Sequence, residues 1–339
     1  MLHNVDETLS PWSRARGSVI LSLLLAGLGL LLLYGLTRTA RHLSLVDTNL
    51  LQASRVDPGP FPKRLLDPGG VTHVLPAPPQ RIVSTVLSGD EMLLDLARLD
   101  QIAAVTPYID TPGMSNSTGR VPATIPRLQA NAEAIIAVQP DLVLVASYNR
   151  SEEVRVLVAA GMPLLRLGNF ASFQEVMANI ITLGAAVGVE ARATALVQQM
   201  QQRLAAVERR VQGRPRPRVL YYAPGGSTVG ADTLIDEMIE RAGGRNVTRE
   251  VHSTGWPNLP LELVLRLQPE VLIIPVWSLA ADADVARTHL QDPLWQQVPA
   301  VQHGRVYAIR GAWLTTISQH AVQGVEAMAR CLHPEGFES

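Results

Sequence analysis

At 339 residues the chain is long enough for two modest domains with extensions. A net charge of −1 and a pI near 6.7 give no electrostatic ground for binding nucleic acid. The single cysteine, Cys331, excludes an internal disulfide, a CxxC pair and a four-cysteine zinc site; Lys63, the sole lysine, reads as compositional bias toward arginine.

Gly17 to Leu36, GSVILSLLLAGLGLLLLYGL, runs for twenty residues without a charge, enough to cross a bilayer core as a helix. It is longer than the apolar region of a cleaved signal peptide, and Thr37-Arg38-Thr39-Ala40-Arg41 is a poor cleavage context. The reading is a transmembrane signal-anchor over 17–36 behind a tail of residues 1–16. Arg14 and Arg16 before it nearly balance Arg38 and Arg41 after it, so the short tail is what favours exporting the bulk of the chain. From 37 to 79 scattered Pro and Gly (Pro58, Gly59, Pro60, Pro62, Pro68, Gly69, Gly70, Pro76, Pro78, Pro79) mark a tether, with a short hairpin near Val71–Leu75.

A first α/β lobe is expected over 80–188. Strands at 81–85, 102–105, 142–146 and 164–167 alternate with helices at 91–99, 133–138 and 152–160, the pattern of a parallel sheet with crossover helices. Val189 to Gln212 then reads as one uninterrupted helix, without Gly or Pro. Val197, Met200, Leu204, Val207 and Val211 give it a single narrow apolar stripe. At about 1.5 Å per residue it is about 36 Å long. Gly188 precedes it, and Gly213, Pro215 and Pro217 stop it, so residues 189–213 read as a strut lying across a surface between two lobes. The second lobe, 214–334, repeats the order: strands at 219–222, 271–275 and 306–309, helices at 234–242 and 263–267, and a closing helix at 319–331.

One internal similarity links the lobes. Glu133 through Gln139-Pro140-Asp141 and the strand after it align with Glu262 through Gln268-Pro269-Glu270 and its strand. A glutamate at a helix N-terminus favours the macrodipole and the proline ends the helix, which accounts for each alone. Matching places on two lobes point to something that binds both together.

Catalytic motifs are missing: there is no HExxH, Walker A, GxGxxG or GxSxG. Histidines 73, 252, 289, 303, 320 and 333 lack metal-ligand spacing. Asp90-Glu91 and Glu152-Glu153 read as acids at helix starts. In parallel α/β sheets ligands sit beyond the carboxyl ends of the strands. The residues there are Ser88, Tyr108, Ser147, Tyr148, Asn149, Arg150, Asn169 and Phe170 from the first lobe, and Tyr222, Trp256, Trp277 and Trp313 from the second. Aromatic residues are 4% of the chain, yet seven fall at these positions, which suits a bulky, partly planar ligand better than a bare ion. Trp295 and Tyr307 read as core.

Two α/β lobes, one long connecting helix and the paired glutamates resemble the class III substrate-binding proteins of ABC importers, receptors for ferric siderophores, haem and cobalamin. The resemblance runs from about Arg81 to Pro334. It rests on Arg81-Ile-Val-Ser-Thr with Asp90-Glu91, Asn131-Ala-Glu133 through Asp141-Leu-Val, Gly243-Gly-Arg-Asn246, and Asp292-Pro-Leu-Trp295 through Gly304-Arg-Val-Tyr307. It implies that Glu133 and Glu262 dock on permease arginines, that the lobes move little, and that Tyr108 and Trp256 match aromatic contacts of the cobalamin receptors. Arg127 stands where another aromatic is expected, Thr315 and Thr316 where a basic residue is expected, and Arg150 could equally face a carboxylate or catecholate iron chelate. The expected architecture is α/β: two Rossmann-like lobes with parallel sheets, joined by one long rigid helix, plus an N-terminal transmembrane helix. The expected protein is non-catalytic and needs no cofactor. It is anchored on the extracytoplasmic (periplasmic) face of the cytoplasmic membrane and delivers a metal chelate to an ABC permease. A two-lobed enzyme such as a glycosyltransferase, or a chelate sensor without a transporter, are the alternatives.

Overall fold

The computed structural model describes residues 53–278 and 293–337. The signal-anchor expected at 17–36 and the tail before it lie outside the described residues; among the described residues no helix is long and apolar enough to cross a membrane.

The second half of the expected tether is ordered structure. β1 (Arg55–Val56), β2 (Lys63–Leu66) and β3 (Thr72–Leu75) form an antiparallel sheet in that order. Ser54 joins it to the first lobe, its amide donating to the Arg166 carbonyl at 3.0 Å. Lys63, read from composition as bias, is instead a bolt. Its side chain is buried, its ammonium donates to the Ala185 carbonyl at 2.6 Å and pairs with Glu190, and it lies 4.8 Å from the Phe61 ring centre. Pro and Gly shape the turns of this sheet rather than dissolving it.

In the first lobe β4 (Ile82–Ser84), β5 (Ile102–Ala104), β6 (Leu142–Ala146) and β7 (Leu164–Leu167) form a parallel sheet in the order β5-β4-β6-β7. Helices α1 (Leu87–Leu96), α2 (Ala132–Ala137) and α3 (Ser151–Ala159) connect the strands. β6 is buried at every position, as a central parallel strand covered on both faces must be. A fourth helix, α4 (Phe173–Val187), follows β7 and was not expected. Ser172 caps it, accepting the Glu175 amide at 3.2 Å, and Gly188 ends it in the left-handed region at φ +77.

The strut is α5 (Glu190–Val211). Glu190 in its first turn and Arg209 and Arg210 in its last complement the macrodipole. It buries Ala193, Met200, Leu204 and Val207 on one stripe, with Val197 and Val211 half-buried beside them. Arg192 donates to the Leu96 carbonyl of the first lobe at 3.0 Å, while Arg203 makes a bidentate pair with Glu326 of the second at 2.9 and 2.8 Å.

The second lobe carries β8 (Arg218–Tyr221), α6 (Leu234–Arg241), β9 (Arg245–Asn246), α7 (Leu261–Leu267), β10 (Val271–Val276), β11 (Val306–Arg310) and α8 (Val322–Leu332). Its sheet order, β11-β10-β8-β9, is the first lobe's order again: second strand, first, third, fourth. One apolar cluster, from Ile82 and Leu144 through Met200 and Leu204 to Ile273 and Val325, passes through both lobes by way of the α5 stripe. A second lies on the other face of the second sheet, around Tyr222, Val247 and Trp295.

The sequence repeat is a structural one. Gln139 (φ 53), two residues past α2, and Gln268 (φ 46), the residue after α7, are both left-handed, each followed by its proline. The acid after each proline accepts the backbone amide that opens the lobe: Arg81 N to Asp141 at 2.8 Å, Arg218 N to Glu270 at 2.8 Å. The same arginines reach back to the helix C-termini, Arg81 to the Val138 and Gln139 carbonyls and Arg218 to that of Leu267. A cation on the last carbonyls of a helix satisfies its orphan acceptors and its dipole together.

Candidate functional site

In each lobe the chain steps from its first strand to one side and then returns to the other. The switch point therefore lies between β4 and β6, and between β8 and β10, at their carboxyl ends. The loops after these strands are tied together. Thr85 donates to the Leu144 carbonyl through its amide (3.1 Å) and its hydroxyl (2.8 Å), and the Tyr222 amide donates to Ile273 at 2.9 Å. The two switch points border a seam between the lobes, crossed in three places among the described residues.

The deepest crossing centres on Glu91, fully buried on α1. Its carboxylate accepts from the Asn116 amide (2.8 Å) and side chain (3.2 Å), and from Thr316 (2.8 Å) and Ser318 (2.5 Å) of the second lobe. Gln319 adds bonds to the Glu91 carbonyl and to Asp95, both 2.8 Å, and Asn116 reaches the Ala312 carbonyl at 2.8 Å. A buried carboxylate with four donors is satisfied, whereas one without them is very costly. The second crossing is Gly113 against Trp277: at φ +84, a Cβ on residue 113 would stand 1.8 Å from the Trp277 carbonyl oxygen, so only glycine fits. The third is the Phe173 amide at the start of α4, which donates to Glu237 of α6 at 2.7 Å.

Asp90, beside Glu91, is also fully buried. Burial pushes its carboxyl up to about 8, against the opposing hydrogen bonds from Thr106. Asp90 does stand in the first turn of α1, as a helix-start acid should, but both acids are buried in packed protein.

Four of the expected lining aromatics do stand exposed at strand carboxyl ends: Tyr108 (47%) and Tyr148 (58%) on the first lobe, Trp256 (57%) and Trp277 (38%) on the second. Each is braced. Arg127 holds the turn that carries Tyr108, bonding Asp110 at 2.7 and 3.1 Å and the Pro122, Ile125 and Val121 carbonyls, and it keeps the Asp110 carboxyl below its ordinary range. Tyr148 stands 6.1 Å from the half-buried Phe170 ring, and its hydroxyl is 3.4 Å from that of the buried Ser88. Trp256 meets Tyr221 edge-on at 6.2 Å.

Other expected residues lie elsewhere. Tyr222 is core: it is buried and meets Trp295 edge-on at 5.0 Å. Side chains alternate along a strand, so Tyr221 turns toward Trp256 while Tyr222 turns to the opposite face. Asn149 closes its own loop, accepting the Ala146 amide at 2.6 Å and donating to Thr85 at 3.1 Å. Trp313 is half-buried with the Arg310 guanidinium 5.3 Å above it, and it lines a cavity bounded by β11 and α8. Arg150 is exposed, 3.7 Å from Glu153; Asn169 is exposed and its carbonyl accepts from Asn179. Of the core expectations, Trp295 is buried and Tyr307 half-buried.

Glu133 and Glu262 are both exposed, in the first turns of α2 and α7. Each helix feeds the strand after it, so each glutamate lies toward the carboxyl end of its sheet. Neither has an ion-pair partner among the described residues. No group of three His, Cys, Asp or Glu side chains among them is placed to hold a metal ion.

The sequence profile of a family described as periplasmic binding protein matches residues 82–312, both lobes and the strut between them. The chain belongs to that family. Members of the periplasmic binding protein family are binding proteins, not enzymes. Among its relatives, the cobalamin-binding protein of Halobacterium salinarum is 29% identical over 277 residues, covering 80% of this chain and 73% of that one. An uncharacterized ABC transporter substrate-binding lipoprotein of Bacillus subtilis, YvrC, is 25% identical, covering 82% and 88%. The periplasmic haem-binding protein RhuT of Roseiflexus sp. RS-1 has the same fold, with a TM-score of 0.65 at 24% identity over 76% of this chain and 99% of that one.

Proposed function

We propose that this periplasmic binding protein is the receptor of an ABC importer and that its cargo is a bulky metal chelate held at the seam: cobalamin in the first instance, otherwise haem or a ferric siderophore. The observation that supports the reading is the set of exposed rings near the carboxyl ends of the strands, Tyr108 and Tyr148 on one lobe and Trp256 and Trp277 on the other. Rings held in place bind flat apolar surface without losing rotamer freedom. The Halobacterium relative supports cobalamin over the other two. The exposed Arg150 favours a second reading, an anionic iron chelate. The receptor is held at the extracytoplasmic face of the membrane by residues 17–36, and Glu133 and Glu262 are its handles for the permease.

The test is tryptophan fluorescence of the full chain titrated with cyanocobalamin, haemin and ferric enterobactin. One of them should quench saturably, and Trp256→Ala should remove most of that quenching. No saturable quenching by any of them below about 100 μM, a binding free energy of about 5.5 kcal/mol, would refute the reading.

A further inference from the structure

A cavity lies on the flank of the second lobe, between the edge strand β11 and helix α8, with α5 beside it. Its volume is about 760 Å³, within the range of about 300–1,000 Å³ usual for small-molecule sites. The floor is apolar: Val276, Ala308, Ile309, Ala327 and the half-buried Cys331, closed at one end by Trp313.

The rim is cationic. Arg203 is neutralised by its bidentate pair with Glu326. Arg310 and Arg330 are not: among the described residues neither has a carboxylate partner, although Arg98, Arg120, Arg127, Arg218 and Arg249 all have one. Both unpaired guanidiniums rest on aromatic rings, Arg310 5.3 Å from Trp313 and Arg330 5.7 Å from Phe337. Stacking fixes the plane of a guanidinium and leaves its edge donors free for a carboxylate or sulfonate.

We propose that this groove is a second binding site, separate from the seam, for an amphipathic anion: a flat apolar body on the Ile309 and Trp313 floor with one carboxylate or sulfonate held by Arg310 and Arg330. An uncharged molecule of the same shape would leave both guanidiniums without a partner, and a hydrophilic anion would leave the floor uncovered, so the surface selects for the two features together.

The experiment uses the full chain and 1-anilinonaphthalene-8-sulfonate, with its uncharged analogue N-phenyl-1-naphthylamine as control. Two readouts are taken: the fluorescence titration, and the rate at which iodoacetamide alkylates Cys331, the only cysteine in the chain. Expected are saturable binding with one equivalent, slower alkylation of Cys331 when the probe is bound, and a loss of at least about tenfold in affinity in R310A/R330A for the sulfonate but not for the neutral analogue. Ala308→Trp, which fills the groove from an exposed strand position, should abolish probe binding while quenching by the seam's cargo is kept, and it serves if the arginine variant misfolds. Unchanged Cys331 reactivity at saturation, equal affinity in R310A/R330A, or undiminished probe binding in Ala308→Trp would each overturn the proposal. Failure of cobalamin, haemin and ferric enterobactin to bind would not touch it.

Discussion

The Ser318 hydroxyl donates to the Glu91 carboxylate at 2.5 Å, joining the two lobes across 227 residues of chain. With Thr316 on the same oxygen and Asn116 on the other, Glu91 bolts the seam from the inside. Replacing it by Ala strands three sets of donors in a dry interface and should cost about 3 kcal/mol or more. Glu91→Gln keeps the volume and one acceptor oxygen, and should cost about 1–2 kcal/mol. Urea unfolding of the two variants measures the difference; equal losses would mean that the charge on Glu91 adds nothing to the seam.

Asp90 gives the fold a pH dependence of known sign. Its carboxyl is raised by burial from 3.8 to about 8, so between these values the folded chain holds a proton that the unfolded chain has lost. The contribution is complete below 3.8 and is lost as pH rises through about 8, with a slope of at most about 1.4 kcal/mol per pH unit in that window. Asp90→Asn removes the slope. Thermal melts from about pH 5 to about pH 8.5 should show the variant gaining on the parent as pH rises; parallel curves would contradict the assignment.

Lys63→Met keeps the buried stem but leaves the Ala185 carbonyl and Glu190 without their donor. A loss of about 1–3 kcal/mol is expected, and the β1–β3 sheet should become the first part of the chain to exchange its amide protons. Hydrogen exchange read by mass spectrometry separates this from uniform loosening of the first lobe.

Glu133→Ala with Glu262→Ala removes two exposed side chains that have no ion-pair partner among the described residues. The cost should stay near about 0.3–1 kcal/mol per helix from the macrodipole. Cargo quenching should be unchanged, while uptake by cells carrying the permease should fall to background. Full uptake would favour a sensor over a transport receptor.

Where the sequence was misread, the reasons are physical. Helix α4 was missed because eight of its fifteen residues are buried, among them Val176, Ile180, Leu183 and Val187, and a helix so widely covered shows little contrast between faces. The β1–β3 sheet hid behind Pro and Gly, which mark its turns as readily as they mark a linker. Tyr222 was misplaced by one position of strand alternation, the smallest error that moves a side chain to the opposite face. Asp90 and Glu91 entered as helix-start acids and as part of a family motif, neither of which signals burial, and Thr316 entered only as the absence of a basic residue.

What the sequence determined by itself was whatever local chemistry settles: the alternation of strands and helices in most of the two lobes, the unbroken strut, and the paired helix ends at Gln139-Pro140-Asp141 and Gln268-Pro269-Glu270. Capping, backbone preference and apolar period act within a few residues of one another and can be read along a line. Only the tertiary structure decided that Glu91 meets Thr316 and Ser318, that Lys63 meets Ala185, and which aromatics stay exposed. A buried polar group must find a donor or acceptor wherever the packed chain brings one, and sequence separation puts no limit on where that is.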